Sequence, residues 1–262
     1  MLAPTGRIET AIFWKNLILA GWRSTFVMLM FAVVIGAAVA GGSGAAAPLQ
    51  TAGIVCTTLA TIVIFLGPTM IRNDLRTDLA YLAVLKTWPA SGAAIVRGEI
   101  LTPAVLLSLL SSALLACGAA FSGGAVLDFI HWSGASRVSF AVSAIVVASA
   151  ILTAHLVVHN AVAVMFPAWV RIGARAAPGV EMMGQNMLVM AGAVIVLAAA
   201  VAPAALAAVV AVVVMHQFAG SVPLVVPAAL FAGVLLLECL AAAGALGRVL
   251  DATDVNAMER PE

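Results

Sequence analysis

From Met187 to Gly247 the chain runs 61 residues with a single charge, Glu238. About 20 apolar residues cross a bilayer as a helix, which satisfies its own backbone hydrogen bonds on the way. A run three times that length must enter a membrane, and it holds more than two ordinary crossings. Pro203, Pro223 and Pro227 interrupt it. The pattern predicts a crossing over 187–202, a re-entrant hairpin over 203–226 around His216, Gly220 and Ser221, and a last crossing over 227–247. Two long tilted helices are the alternative.

Cutting the rest of the sequence at its charges gives four more apolar runs: 25–41, 52–71, 100–121 and 138–166, the last ended by Pro167. The predicted fold is an all-α polytopic membrane domain occupying 1–262, with six crossings. Composition agrees: 64% of the residues are hydrophobic and 9% charged, against about a quarter charged in soluble domains. The formal net charge of +1 leaves no basic surplus for neutralising phosphates, which argues against a nucleic-acid binder. Cys56, Cys117 and Cys239 each sit within an apolar run, so they read as small buried hydrophobes and not as a disulfide or zinc framework.

Six crossings put both ends on one side, and the basic residues choose it. Eleven of the 12 Lys and Arg fall there: Arg7, Lys15, Arg23, Arg72, Arg76, Lys86, Arg97, Arg171, Arg175, Arg248 and Arg260. Only Arg137 falls on the other. The positive-inside rule then predicts cytoplasmic termini in the cell membrane, with a cytoplasmic tail over 248–262. Ala38-Val39-Ala40 before Gly41 has the form of a signal-peptidase site, but the long polar lead-in with Trp14 and Trp22 does not fit a signal's short basic start. Residues 8–23 instead read as a helix lying in the interface, with Arg7, Lys15 and Arg23 reaching headgroups.

The stretch Arg72–Trp88, RNDLRTDLAYLAVLKTW, places Ile71, Leu75, Leu79, Leu82 and Leu85 three and four residues apart, the period of one helix face. This predicts an amphipathic helix outside the bilayer, in a charged segment over 72–99, ended by Pro89 and Gly92. Its leucine stripe needs a surface to cover it, either lipid and its own bundle or a partner protein.

The run LGPTMIRNDLRTDLAYLAVLKTWPASGAAIVRGEILTP, Leu66–Pro103, resembles the first cytoplasmic loop of bacterial ABC exporter membrane subunits of the ABC-2-type permease class, with their Arg-Asp-Leu-Arg-x-Asp-Leu helix, Pro-x-Ser-Gly turn and Gly-Glu-Ile helix start. Ala11–Leu19 (AIFWKNLIL) and His155–Gln185, with HNAVAVMFPAWVRIG and GVEMMGQ, are similar to the same family. The resemblance implies six crossings, an interfacial elbow helix, a re-entrant element between crossings five and six, and a cytoplasmic helix docking on a separate P-loop ATPase subunit. It also implies a second membrane half, as a homodimer or heterodimer. Many members are about twice as long, with further membrane segments in front, so a half-size subunit or part of a longer permease is expected. The docking residues would be Arg72, Asp74, Leu75, Arg76, Asp78, Leu79, Leu82 and Lys86.

The chain itself carries no Gly-Lys-Ser/Thr phosphate loop: its two lysines follow Trp14 and Leu85. ATP chemistry therefore belongs to a partner, and the chain reads as a transport subunit needing no cofactor and not as an enzyme. Glu238 lies about 13 Å from the inner end of the last crossing, while His155 and His159, on one face of the fourth, lie about 16 and 10 Å deep. With Asn160 they form a predicted intramembrane polar patch, lining a path or fixing helix packing. Two other function classes use the same residues: a metal-dependent intramembrane hydrolase on His155, His159 and Glu238, and a secondary transporter driven by protons at Glu238. Leu156 stands where a zincin places its glutamate, and no Glu-Glu pair exists.

The charge asymmetry makes a direct prediction. A cysteine at Gly42 is expected to react with an impermeant thiol reagent added outside, and one at Ser91 is not; the reverse pattern would invert the topology.

Overall fold

A computed structural model describes residues 6–21, 46–70, 74–121, 134–167, 180–219 and 223–253. Among them every regular element is helical: α1 over 8–21, α2 Ala46–Met70, α3 Leu75–Asp78, a single 3₁₀ turn Leu79–Tyr81, α4 Leu82–Leu85, α5 Gly92–Phe121, α6 Gly134–Met165, α7 Val180–Ala219 and α8 Val225–Ala252. Five are long and apolar enough to cross a membrane, with spans Thr51–Thr69, Gly92–Phe121, Arg137–Met165, Met187–Phe218 and Val225–Ala252. The chain is a multi-pass, all-helical membrane protein. The crossing expected over 25–41 lies outside the described residues, as do Trp22, Arg23 and Arg72.

Helix α5 is the hub, packed against α2, α6 and α8, while α6 and α7 close on α8 from its other sides. Two close approaches explain why small residues stand where they do, since helices in lipid gain their packing from backbone proximity. Gly92 and Gly247 bring the start of α5 against the end of α8; a Cβ on either would overlap the other helix's backbone. Gly98 receives Ile12, so the buried face of α1 sits flat on α5.

Three expectations are corrected. Among the described residues the re-entrant hairpin expected over 203–226 is not formed: α7 continues as one helix through Pro203 to Ala219 and α8 begins at Val225, which is the two-long-helices alternative. Ala193, Leu197 and Ala204, spaced four and seven apart, keep one buried stripe running across the proline, so the packing holds the helix in line where a backbone bond is lost. The third crossing begins at Gly92 and not at Ile100, because Arg97 and Glu99 find partners and stay helical. The last helix likewise begins at Val225 and runs past Gly247 to Ala252.

The third correction concerns 72–88. Instead of one long amphipathic helix, the chain makes two single turns of α-helix separated by a 3₁₀ turn, closed by bends at Trp88–Ala90. The leucine periodicity survives the break because Leu75, Leu79, Leu82 and Leu85 all reach the same core, each at most 4% exposed. Burial of this stripe in the protein's own bundle, and not length of helix, decides the local geometry.

Helix α7 is the outlying element: 17% of its span window is buried, against 50% for α6. Its span of 32 residues extends about 48 Å. In a background without native cysteines, spin labels at Val194 and Val213 are expected to report a separation near 28 Å, the axial rise of a continuous helix. A separation less than half of that would restore the hairpin.

Candidate functional site

The charged segment is tied to the bundle at three points, and each uses polar side chains that the apolar surroundings force into pairs. At its start Asp74, in extended backbone conformation, caps α3 by accepting from the Arg76 amide at 3.1 Å. The same carboxylate accepts from Arg76 Nε at 2.9 Å on both oxygens and from Nη2 at 2.8 Å. Arg76 Nη2 also donates to the Pro68 carbonyl at 2.6 Å, covering one of the carbonyls that the last turn of α2 leaves open. From the opposite side Asn160 Nδ2 donates to Asp74 Oδ2 at 3.1 Å and to the Leu156 carbonyl at 2.8 Å. Asp74, Arg76 and Asn160 are at most 5% exposed. Removing one partner of a buried pair like this costs about 3–5 kcal/mol.

Beside this cluster His155 and His159 stack on one face of α6 with Nε2 atoms 3.0 Å apart and ring centroids 4.7 Å apart. One imidazole must donate and the other accept, so at least one is neutral and the two carry different tautomers in that bond. Arg76 lies within electrostatic reach of both rings. Asn160 Oδ1 is buried with no hydrogen-bond partner among the described residues, while the His155 ring lies against the Ile64 backbone. An atom left in this way costs about 1–3 kcal/mol.

The second tie runs through α1. Lys15 bridges Asp78 and Glu99, the latter at 2.9 Å, and lies 5.9 Å from the Trp88 ring centroid. Asn16 Nδ2 donates to the other Glu99 oxygen at 2.6 Å, and the Glu99 side chain has no exposed surface. Arg97 pairs with Glu9 at 2.9 Å, and Thr102 donates its hydroxyl to the Phe13 carbonyl at 3.1 Å. The outer face of α1 shows Trp14, Ile18 and Leu19, at 57, 76 and 65% exposure, which suits a helix lying at a membrane interface.

The third tie is at the exit. Asp251 Oδ1, on the last turn of α8, accepts from the Gly92 amide at 2.9 Å and so caps α5 from another helix. Lys86 donates to the Asp251 and Thr253 carbonyls at the end of α8.

Set against the predicted docking residues, these contacts invert the expectation. Leu75, Leu79 and Leu82 fill the protein's own core; Asp74 and Arg76 are buried; Asp78 and Lys86 are engaged by α1 and α8. What faces outward is Ala80, Tyr81, Ala83, Val84 and Thr87, with Tyr81 66% and Val84 55% exposed. Of the intramembrane patch, His155, His159 and Asn160 do come together. Glu238 does not join them: it is half-buried on α8 beside Cys239 and makes no ion pair among the described residues. No group of three His, Cys, Asp or Glu is placed to hold a metal among the described residues, so the ligand set of the hydrolase alternative is not assembled. Lys15, expected to reach headgroups, turns instead to Asp78 and Glu99, and Asn16, Glu99 and Asp251 were not singled out from the sequence. A lysine and an asparagine inside the apolar stripe of α1, and an acid within two turns of a crossing, were the available signal.

No family model, curated protein or solved structure matches the chain.

The α1 contacts carry opposite pH limits. The Arg97 guanidinium holds the Glu9 carboxyl below its ordinary range, so that contribution is complete above the ordinary carboxylate range and fades as pH falls through the lowered value. For Lys15, burial alone would push the ammonium down, but its bonds to Asp78 and Glu99 prevail and raise it. Its contribution is complete below the ordinary lysine value and fades as pH rises through the raised one. Intrinsic-rate-corrected opening of α1 is therefore expected to quicken as pH falls through the lowered Glu9 value and again as it rises through the raised Lys15 value. An exchange profile flat across both limits would show that these pairs do not hold α1.

Proposed function

We propose that this chain is the membrane-spanning permease subunit of an ABC-2-type exporter. In this reading it moves a substrate across the cytoplasmic membrane using ATP hydrolysed by a separate P-loop ATPase, and it works with a second membrane half. Both termini and the charged segment before α5 face the cytoplasm in this reading, which the Lys and Arg distribution supports. The observation that carries the reading is the segment itself. A short folded element outside the apolar spans is joined to α2 and α6 by buried polar groups, to α1 through Lys15 and to α8 through Lys86, yet turns Tyr81 and Val84 away from its own core. Tyrosine with aliphatic neighbours is the composition of an interface anchor, since it adds apolar area at small entropy cost and keeps a polar tip. The rigid mounting suits an element that transmits force, and the resemblance over Leu66–Pro103 supports the same assignment.

This reading moves the docking contact from the leucines to Tyr81, Val84 and the alanines between them. Tyr81→Asp with Val84→Asp is expected to leave the subunit inserted and as thermally stable as the wild type, and to cut recovery of the ATPase subunit on co-purification by tenfold or more. Leu79→Asp is expected to lower the amount of folded protein, with partner recovery per folded molecule unchanged. Undiminished partner recovery in the Tyr81 and Val84 double variant would remove this face from the docking role.

A further inference from the structure

The charged segment meets the bundle through two polar clusters that engage different helices. Asp78 belongs to the Lys15 and Glu99 cluster and so to α1 and α5. Asp74 and Arg76 belong to the cluster with Asn160 and the Pro68 carbonyl, and so to α6 and α2. The two differ in how well they are satisfied. Glu99 has a donor on each oxygen, and Asp74 is filled by Arg76 and Asn160, but the amide oxygen of Asn160 is buried without a partner among the described residues. A polar network that is fully satisfied fixes one arrangement, whereas a buried group lacking a partner is relieved by any displacement that admits water or a new donor.

The geometry points to Asn160 as a positioning residue, the contact through which displacement of the 74–85 segment passes to α6, with the Asp74–Arg76 pair as the rigid link and the α1–α5 cluster as the fixed pivot. The role rests on the reading of this segment as the ATPase-docking element; the contact itself does not. Asn160 holds two things at once, the Leu156 carbonyl of its own helix and the cap of α3, so a shift of Asp74 must either break the 3.1 Å bond or carry α6 with it. The stacked imidazoles sit on the same stretch of α6, His159 next to Asn160 and His155 more than a turn further along, where a shift would next be felt. Coupling through a contact of this kind requires an element with two discrete arrangements, and the Asn160 amide oxygen, without a partner among the described residues, supplies the reason for a second one.

The test has two arms, in lipid nanodiscs with the full chain. In the chain alone, Asn160→Leu is expected to speed amide exchange over 74–85 at least tenfold while α1 exchange stays at the wild-type rate. Asn16→Ala, which leaves Lys15 on Asp78, is expected to do the reverse, and Asn160→Gln to restore most of the protection over 74–85. Unchanged exchange over 74–85 in Asn160→Leu, or the same loss in α1 and 74–85 from either variant, would overturn the separate link. In the second arm, the ATPase that co-purifies is trapped with ATP and vanadate. Wild type is expected to change exchange at 160–167, and Asn160→Leu to lose that change with partner recovery undiminished and ATP still hydrolysed. A variant that keeps the wild-type response at 160–167 would overturn the relay. Failure to recover any ATPase with the wild-type chain would instead remove the exporter reading and the transmission role, leaving the first arm to decide the contact.

Discussion

Glu99 has no exposed side-chain surface, and it stands in the first turns of an apolar helix. An isolated carboxylate in such surroundings is too costly to keep, so the fold has to bring a cation and further donors to it. Lys15 and Asn16 answer that need, and both come from α1. Their arrival lays α1 across α5, which seats Ile12 on Gly98 and leaves Trp14, Ile18 and Leu19 outward. Because Lys15 also reaches Asp78, the same requirement draws the charged segment against the bundle. Much of the architecture around the ends of α1, α3 and α5 follows from one buried acid.

The segment between Asp74 and Ser91 shows how polar contacts substitute for helix length. Its helical pieces have three or four residues, far below what stands alone in water. Its stability comes from four buried leucines on one side and from capping by groups of other helices at each end. Arg76 closes the end of α2, Asp74 opens α3, Asp251 opens α5, and Lys86 closes α8. Helix ends that would otherwise leave bare amides and carbonyls are joined to one another, and the result is a junction of short pieces with little freedom.

Helix α7 obeys a different constraint. It is 40 residues long, is the least buried of the five candidate spans, and has open space around Gly184 and Gly192. Its apolar length exceeds the roughly 30 Å hydrocarbon core of a bilayer, an excess that tilt and local thickening of the lipid accommodate. Pro203 removes one backbone bond without ending the helix, because the alanines and Leu197 around it keep contact with the neighbouring helices.

The apolar runs were legible without coordinates because membrane insertion is decided by local composition: a window of about 20 residues either tolerates hydrocarbon or does not. The leucine face of the charged segment was legible for a similar reason, since a three- and four-residue period survives even when the helix breaks into turns. The stacked His155 and His159 followed from their spacing on one helix. What covers the leucines was not legible, because lipid, bundle and partner offer the same apolar environment to a sequence pattern. The fate of Pro203 was not legible either, as a proline ends a helix or is carried through it according to the strength of packing on both sides. The pairings of Lys15 with Glu99 and Asp78, and of Asn160 with Asp74, span 63 to 86 residues. Local sequence determines that such polar groups are too costly to leave alone in an apolar bundle; only the tertiary structure, by bringing distant helix ends together, decides which group each one meets.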